Sequence, residues 1–515
     1  MSQPDDSGNT YQKWHLLVFM AADNSLYSNA LVSLRELTEG SGLSNVKITV
    51  QFDGPTSDDS ARYTCEKGER KMLFPAPKGD RAKPAERLSD FLNNAKVEDN
   101  ERIFLILWGH GSGIDYIYLY SDPSLPRSAS RNAAATSQSA QLRQAALTIP
   151  IDVINPNTEN ANRYVKNIQL GTILGMYTGK PDPSGEELLK KALLKKKLLN
   201  NALNRKIDIL GFDSCLMGMA EICHEVSDSV DVVVASDEEI PKQSFPYDKI
   251  LEALSKKPDM DSSSLSKAII EAFTDEYAKG PQETRISLSA YRLAKSKDLA
   301  DAITAFVNAV SGDIDTVRSR VLLARNFSRT PEVPDYIDLG LFCNEIMLSF
   351  DPNESIHKCA ENISNVLTKT KDTKYILHHE DKGPKGVAAA SGLAVYFPQA
   401  MPPITSDSIQ QVVDSQTVQH LSQYEPPDKG MKHVSGDPRK TLLVFTTRPS
   451  DPNKIPTLDR TKDLDVELVQ RQLIGSEVLW CDYTNLRFNK ETGWAEMVEE
   501  LITGKSDETM QCSQS

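Results

Sequence analysis

The chain has 515 residues, 39% hydrophobic and 25% charged, with a formal net charge of −14. At roughly 100–200 residues per domain, this length predicts two to four domains with ample core material, and the composition excludes a wholly disordered or collagen-like chain. The acidic balance excludes a general nucleic-acid binder and a polybasic membrane-surface protein, while the longest uncharged apolar run, Trp14 to Ala22, is far shorter than the about 20 residues of a membrane helix.

Residues 1–12 are polar and read as a disordered tail. Asp5 and Asp6 stand where a secretory signal would carry positive charge, and the apolar run ends at Asp23-Asn24. That run therefore reads as a first strand, and the expected address is cytoplasmic, with secretion left open. Six short runs predict strands: 14–21, 46–52, 102–108, 207–212, 231–236 and 285–290. They are continuous rather than alternating, as in strands covered on both faces. Helical stretches fall between them at 26–39, 83–95, 186–204, 216–228 and 262–278. This alternation predicts an α/β fold with a mostly parallel six-stranded sheet flanked by helices. The five lysines of 186–204 lie among leucines at helical spacing, so they read as the solvated face of a crossover helix.

Residues 121–185 break the alternation. Their Ser/Ala/Gln-rich part cannot offset its ordering entropy, and the segment reads as a long exposed loop in the α/β unit 13–290. Residues 291–400 predict a helical extension with helices at 294–311, 313–325, 338–349 and 355–369 and a strand at 391–397. Residues 401–438 read as a linker, 439–504 as a small α+β appendage with strands at TLLVFTT and EVLWCDY and a final helix near 493–503, and 505–515 as a tail.

The seven cysteines are few, odd in number and widely spaced, with no C-x-x-C pair. This favours reduced thiols over a disulfide framework or a zinc site. Two strand ends carry the chemistry. Trp108-Gly109-His110-Gly111 follows the third strand, and Phe212-Asp213-Ser214-Cys215-Leu216 follows the fourth. In open α/β sheets ligands bind beyond the carboxyl ends of strands. A nearby imidazole or helix N-terminus lowers a thiol pKa and creates a nucleophile. The expected helix 216–228 places Cys215 at such a terminus. The N–H groups of Gly111 and Cys215 are the natural oxyanion donors. A buried cysteine alone is most often inert packing, and a histidine between glycines is often a loop residue. The pair at adjacent strand ends is what points to a thiol hydrolase.

At these residues the sequence resembles the clostripain-like cysteine peptidases, in the clan of caspases, legumains and gingipains. The resemblance rests on Ile103–Gly111 and Ile207–Cys215, on Lys13-Trp14 with Met20–Leu26, and on Asp213–Glu221. It extends through Ala235–Glu238 with Pro241 and Phe245-Pro246-Tyr247, Tyr336–Leu339 and Gly392–Pro398. It implies a caspase–haemoglobinase-like fold and endopeptidase activity on protein or peptide substrates. It further implies His110 as general acid/base, Cys215 as nucleophile, and cleavage after Arg or Lys through an acidic S1 pocket. Asp213 carries over as the S1 candidate. Gln243 and Ser244 stand where an acid and a glycine are expected, which leaves Asp237, Glu238 or Glu239 as second acids. Self-cleavage within 121–185, at Arg127, Arg131, Arg143, Lys166 or Lys180, would give two associated chains; otherwise a monomer is expected. No cofactor or metal is required by this chemistry. Calcium dependence stays open, since no EF-hand loop is present.

Other motifs fail on spacing. Gly109-x-Gly111-x-Gly113 is not a dinucleotide fingerprint, and His378-His379-Glu380 lacks the second histidine of a zinc helix. His224 reads as a packing residue. Two alternatives share the dyad: a silent peptidase-like binding protein, and a thiol acyltransferase or transpeptidase.

Overall fold

The fold is given by a computed structural model, which describes residues 13–22, 26–42, 46–54, 60–75, 84–98, 100–109, 111, 113–114, 206–241, 244–278, 286–328, 333, 335–369, 374–382, 390–399, 432–433, 443–444 and 480–504. In chain order the strands are β1 (Lys13–Ala21), β2 (Lys47–Asp53), β3 (Ala61–Glu66), β4 (Glu69–Pro75), β5 (Glu101–Trp108), β6 (Ile207–Asp213), β7 (Val230–Ala235), β8 (Ile286–Arg292), β9 (Tyr336–Asp338), β10 (Ile376–Lys382) and β11 (Ala394–Tyr396). Nine of them make one sheet in the order β10-β8-β7-β6-β5-β1-β2-β3-β4. Strands β2, β1, β5, β6 and β7 run parallel at its centre. The outer strands on both flanks are antiparallel.

The continuous apolar runs have a direct explanation. Alternate residues of each central strand enter opposite cores. Leu17, Phe19, Ile103, Leu105 and Leu107 face one core. Leu16, Val18, Phe104, Ile106 and Trp108 face the other. The second core is closed by helices α1 (Tyr27–Gly40), α4 (Tyr247–Lys256) and α5 (Ser262–Tyr277). The first is closed by α2 (Pro84–Asn93), α3 (Ala220–Val226), α6 (Ser296–Ser311), α7 (Ile314–Phe327), α8 (Leu339–Ser349) and α9 (Ser355–Ser364). The result is a three-layer α/β/α arrangement. Among the described residues no helix is long and apolar enough to cross a membrane.

The sheet has three strands beyond the six expected. β3, β4 and β10 are charged outer strands, and such strands do not read as apolar runs. The β3–β4 hairpin closes through Lys67-Gly68, both at positive φ (54° and 80°), between the paired Glu66 and Glu69. Two left-handed residues are what a two-residue hairpin turn requires. The expected strand 391–397 pairs as β11 with β9, outside the main sheet.

The expected appendage at 439–504 is corrected where it is described. The run EVLWCDY ends in a helix rather than a strand: α10 (Trp480–Thr484), followed by α11 (Arg487–Thr492) and α12 (Trp494–Thr503). Trp480, Tyr483, Phe488, Trp494, Val498 and Leu501 are buried in the same core as Phe306 and Phe342. Trp494 packs edge-on against Phe342 and Phe397 and donates its Nε1–H to the Tyr396 carbonyl at 2.9 Å. These aromatic surfaces need a large apolar partner, and α3, α6 and β11 supply it. Residues Lys432–His433 and Leu443–Val444 form a short antiparallel pair. The tails 1–12 and 505–515, the loop 121–185 with the helix 186–204, and most of the linker lie outside the described residues.

Candidate active site

Strands β5 and β6 are hydrogen-bonded neighbours, with Trp108 opposite Asp213. The ladder continues one residue further, where the Gly109 N–H donates to the Asp213 carbonyl at 3.2 Å. His110 lies outside the described residues, but both its neighbours are placed. Gly111 lies against the Cys215 backbone: a β-carbon there would overlap the Cys215 carbonyl and stand 2.9 Å from Ser214 Cβ and 3.0 Å from the Cys215 nitrogen. Glycine is the residue that permits this approach. Gly113, at φ +66°, is under the same constraint, since a β-carbon would lie 2.5 Å from Met219 Sδ.

Cys215 follows β6 by two residues and is half-buried, touching both cores at the sheet's rim. Its sulfur accepts the Ile240 N–H at 3.3 Å. The same sulfur faces the Ile240 carbonyl, to which the thiol donates at 3.9 Å. Leu216 leaves the strand at φ +64°. The turn is then stapled to the segment after β7: Leu216 N–H donates to Glu238 O at 2.9 Å, and Gly218 N–H to Ser236 O at 2.7 Å. The helix itself begins at Ala220, not at 216. Cys215 therefore stands ahead of the first turn, beyond the range over which a helix dipole acts strongly. The dipole activation expected of a helix starting at 216 does not apply at this distance.

Asp213 is almost fully buried. Its Oδ2 accepts the hydroxyls of Ser244 and Tyr247, the latter at 2.6 Å, and the Phe245 N–H spans both oxygens at 3.2 Å. Burial pushes this carboxyl up to about 6, against the pull of those hydrogen bonds. On α1, burial and then the nearby Asp248 raise the Glu36 carboxyl to about 7, with Asp213 adding to the effect. Asp237 is placed elsewhere: it is wholly buried and accepts the Ser287 hydroxyl of β8. Glu238 is also buried and Glu239 half-buried. The structure thus joins Gly111, Cys215, Asp213 and the Ser244–Tyr247 segment at one sheet edge, and sets Asp237 beneath the Gly218 turn. His224 packs against Phe488 and pairs with Glu491 at 2.9 Å, away from this edge.

Ile240 was not foreseen, because a backbone N–H leaves no trace in residue type. Trp108, whose indole donates to Ser244 Oγ at 2.5 Å, was read only as a strand end. The candidate cleavage residues Arg127, Arg131, Arg143, Lys166 and Lys180 lie outside the described residues. Among the described residues no group of three or more His, Cys, Asp or Glu side chains could hold a metal ion.

The clostripain family model matches residues 18–124 and 187–439, well over half of the chain. Solved structures that the chain is similar to include an inactive zymogen C11 protease from Parabacteroides distasonis. The identity is 17%, covering 80% of this chain and 98% of that one, with a TM-score of 0.48. Another is a secreted C11 cysteine protease from Bacteroides thetaiotaomicron, at 15% identity, 75% and 94% coverage and a TM-score of 0.47. No curated protein matches the sequence. On the extent of the family match, which spans both strand ends just described, the chain belongs to the clostripain family and is a cysteine endopeptidase.

Proposed function

We propose that Cys215 and His110 form the catalytic dyad, that the N–H groups of Gly111 and Cys215 bind the oxyanion, and that Asp213 directs cleavage after Arg or Lys. The observation that carries this reading is the contact between Gly111 and the Cys215 backbone at the ends of adjacent parallel strands. The Cys215 thiolate attacks the scissile carbonyl carbon, and the negative charge moves to the oxygen between the two amides. As the C–N bond breaks, His110 gives its proton to the departing amine, leaving a thioester. Water, deprotonated by His110, then attacks the thioester; the acid product leaves and the thiolate is restored. The acidic surroundings of Asp213, where Asp248 and Asp213 both help to raise the Glu36 carboxyl, support a basic substrate residue. No cofactor enters these steps.

We also propose self-cleavage within 121–185, at Arg127, Arg131, Arg143, Lys166 or Lys180. The β5–β6 pairing, from Phe104 opposite Ile209 to Trp108 opposite Asp213, supports continued association of the two products. The test uses the purified wild type, Cys215→Ala and His110→Ala. Each is run on a gel and assayed on peptides with Arg, Lys, Asp or Asn before the cleaved bond, with and without a calcium chelator. Wild type is expected to cut itself and to turn over the Arg and Lys peptides, and both variants to do neither. Equal processing of wild type and Cys215→Ala overturns self-cleavage. Turnover only at Asp or Asn overturns the basic preference.

A further inference from the structure

The Asp213 carboxylate does not present a clear two-oxygen face. Its Oδ2 takes the Ser244 and Tyr247 hydroxyls, while among the described residues Oδ1 receives only the shared Phe245 N–H. Ser244 is held from every side. Its N–H donates to Pro241 O at 2.8 Å. Its carbonyl accepts the Tyr277 hydroxyl at 2.5 Å. Its Oγ accepts the Trp108 indole N–H at 2.5 Å while donating to Asp213. It does this at φ +76°, a left-handed conformation that glycine adopts without strain and serine does not. A strained residue kept in place at a site edge is a pointer to function. Here the strain sets a hydroxyl, instead of a hydrogen, on the carboxylate.

We propose that Ser244 is a specificity-determining residue that makes this endopeptidase favour Lys over Arg before the cleaved bond. The inference rests on the reading of Asp213 as the S1 acid. A guanidinium gains most from two parallel bonds to both carboxylate oxygens. Oδ2 is already engaged by two hydroxyls, so that fork cannot close. An ammonium is a compact charge with rotatable donors. It can bond Oδ1 and the second acceptor lone pair of the Ser244 hydroxyl, the first being used by Trp108. Ser244 then serves as part of a lysine site and as an obstacle to arginine.

The experiment measures kcat/KM on matched peptides ending in Lys or Arg, using full-length wild type, Ser244→Gly and Ser244→Ala, with active enzyme counted by alkylation of Cys215. Wild type is expected to favour Lys by about 10-fold or more, and Ser244→Gly to bring the two within about 3-fold through a rise for Arg. Ser244→Ala keeps the β-carbon without the hydroxyl and should move the ratio the same way. An unchanged ratio in both variants, or a wild type that favours Arg, overturns the role of Ser244 and leaves the Asp213 reading standing. Cleavage after neither basic residue, with turnover at another, overturns the Asp213 reading itself.

Discussion

Gly111 and Cys215 meet backbone to backbone, with a β-carbon on Gly111 placed 3.0 Å from the Cys215 amide nitrogen and overlapping its carbonyl. Both loops leave strands at the centre of the sheet, so neither can easily step aside. Gly111→Ala should therefore push the two loops apart. The expected result is a fall in kcat/KM of about 10²-fold or more, the scale of losing an oxyanion donor, with a stability cost of about 1–3 kcal/mol from overpacking. Peptide turnover and thermal melting measure the two effects separately. Unchanged turnover would show that this contact does not position the site.

Thiol chemistry should separate the cysteines by burial. Burial pushes the Cys65, Cys223 and Cys343 thiols up. Cys215 and Cys359 are partly exposed. With limiting iodoacetamide on the native protein, mass spectrometry should find Cys215 modified first, with loss of activity in step. Cys65, Cys223 and Cys343 should stay unmodified until the protein unfolds. Inactivation that tracks any of these three would contradict the assignment of the nucleophile.

Glu221 ties α3 to the last helices: its Oε1 accepts the Tyr396 N–H at 2.8 Å and the Tyr483 hydroxyl at 3.0 Å. Burial raises this carboxyl from 4.5 to about 7, with neighbouring Glu225 adding to the rise. Below pH 4.5 the group is protonated in both folded and unfolded chains and has no effect. Between 4.5 and 7 the unfolded chain has released a proton that the native state retains, so stability falls as pH rises, by on the order of 3 kcal/mol in all. Glu221→Gln keeps the accepting oxygen and removes the titration. The difference in melting temperature, variant minus wild type, should grow from pH 4.5 to 7 and then level off. A difference that does not vary with pH would rule out this coupling.

Trp494 tests whether the last described helices belong to the core. Trp494→Ala removes a fully buried ring and its bond to the Tyr396 carbonyl. The expected loss is about 3–5 kcal/mol, read by denaturant unfolding. A loss below about 1 kcal/mol would return residues 480–504 to the standing of a dispensable appendage.

The features the sequence revealed share a physical cause. Strands β1, β2, β5, β6, β7 and β8 are covered on both faces, so burial wrote itself as apolar runs. The strand-end positions of Gly111 and Cys215 followed from those runs. Outer strands carry no such mark: Ile376–Lys382 has the sequence ILHHEDK. Helix α4 (YDKILEALSK) lies outside the expected helices, yet it fixes Tyr247 beside Asp213. The start of α3 was misplaced because Leu216 takes a left-handed turn that its side chain does not announce. The run EVLWCDY reads as a strand because tryptophan and tyrosine favour strands, yet Trp480 and Tyr483 are buried as part of a helix, whereas the final helix expected near 493–503 is present as α12.

The sheet order puts β5 in the middle, with four strands on each side and β6 next to it. In hydrogen-exchange terms, the amides of β5 and β6 beneath Cys215 should be among the last to exchange, while β4 and β10 open first at the rims. Losing the alignment of the loops that follow β5 and β6 then requires unzipping the sheet from a flank inward. Keeping that alignment does not depend on the peptide between Ile114 and Lys206, because β5 is also held by β1, and β6 by β7. The candidate site's edge is thus aligned by the lateral neighbours of its two strands, on both sides of the β5–β6 pair.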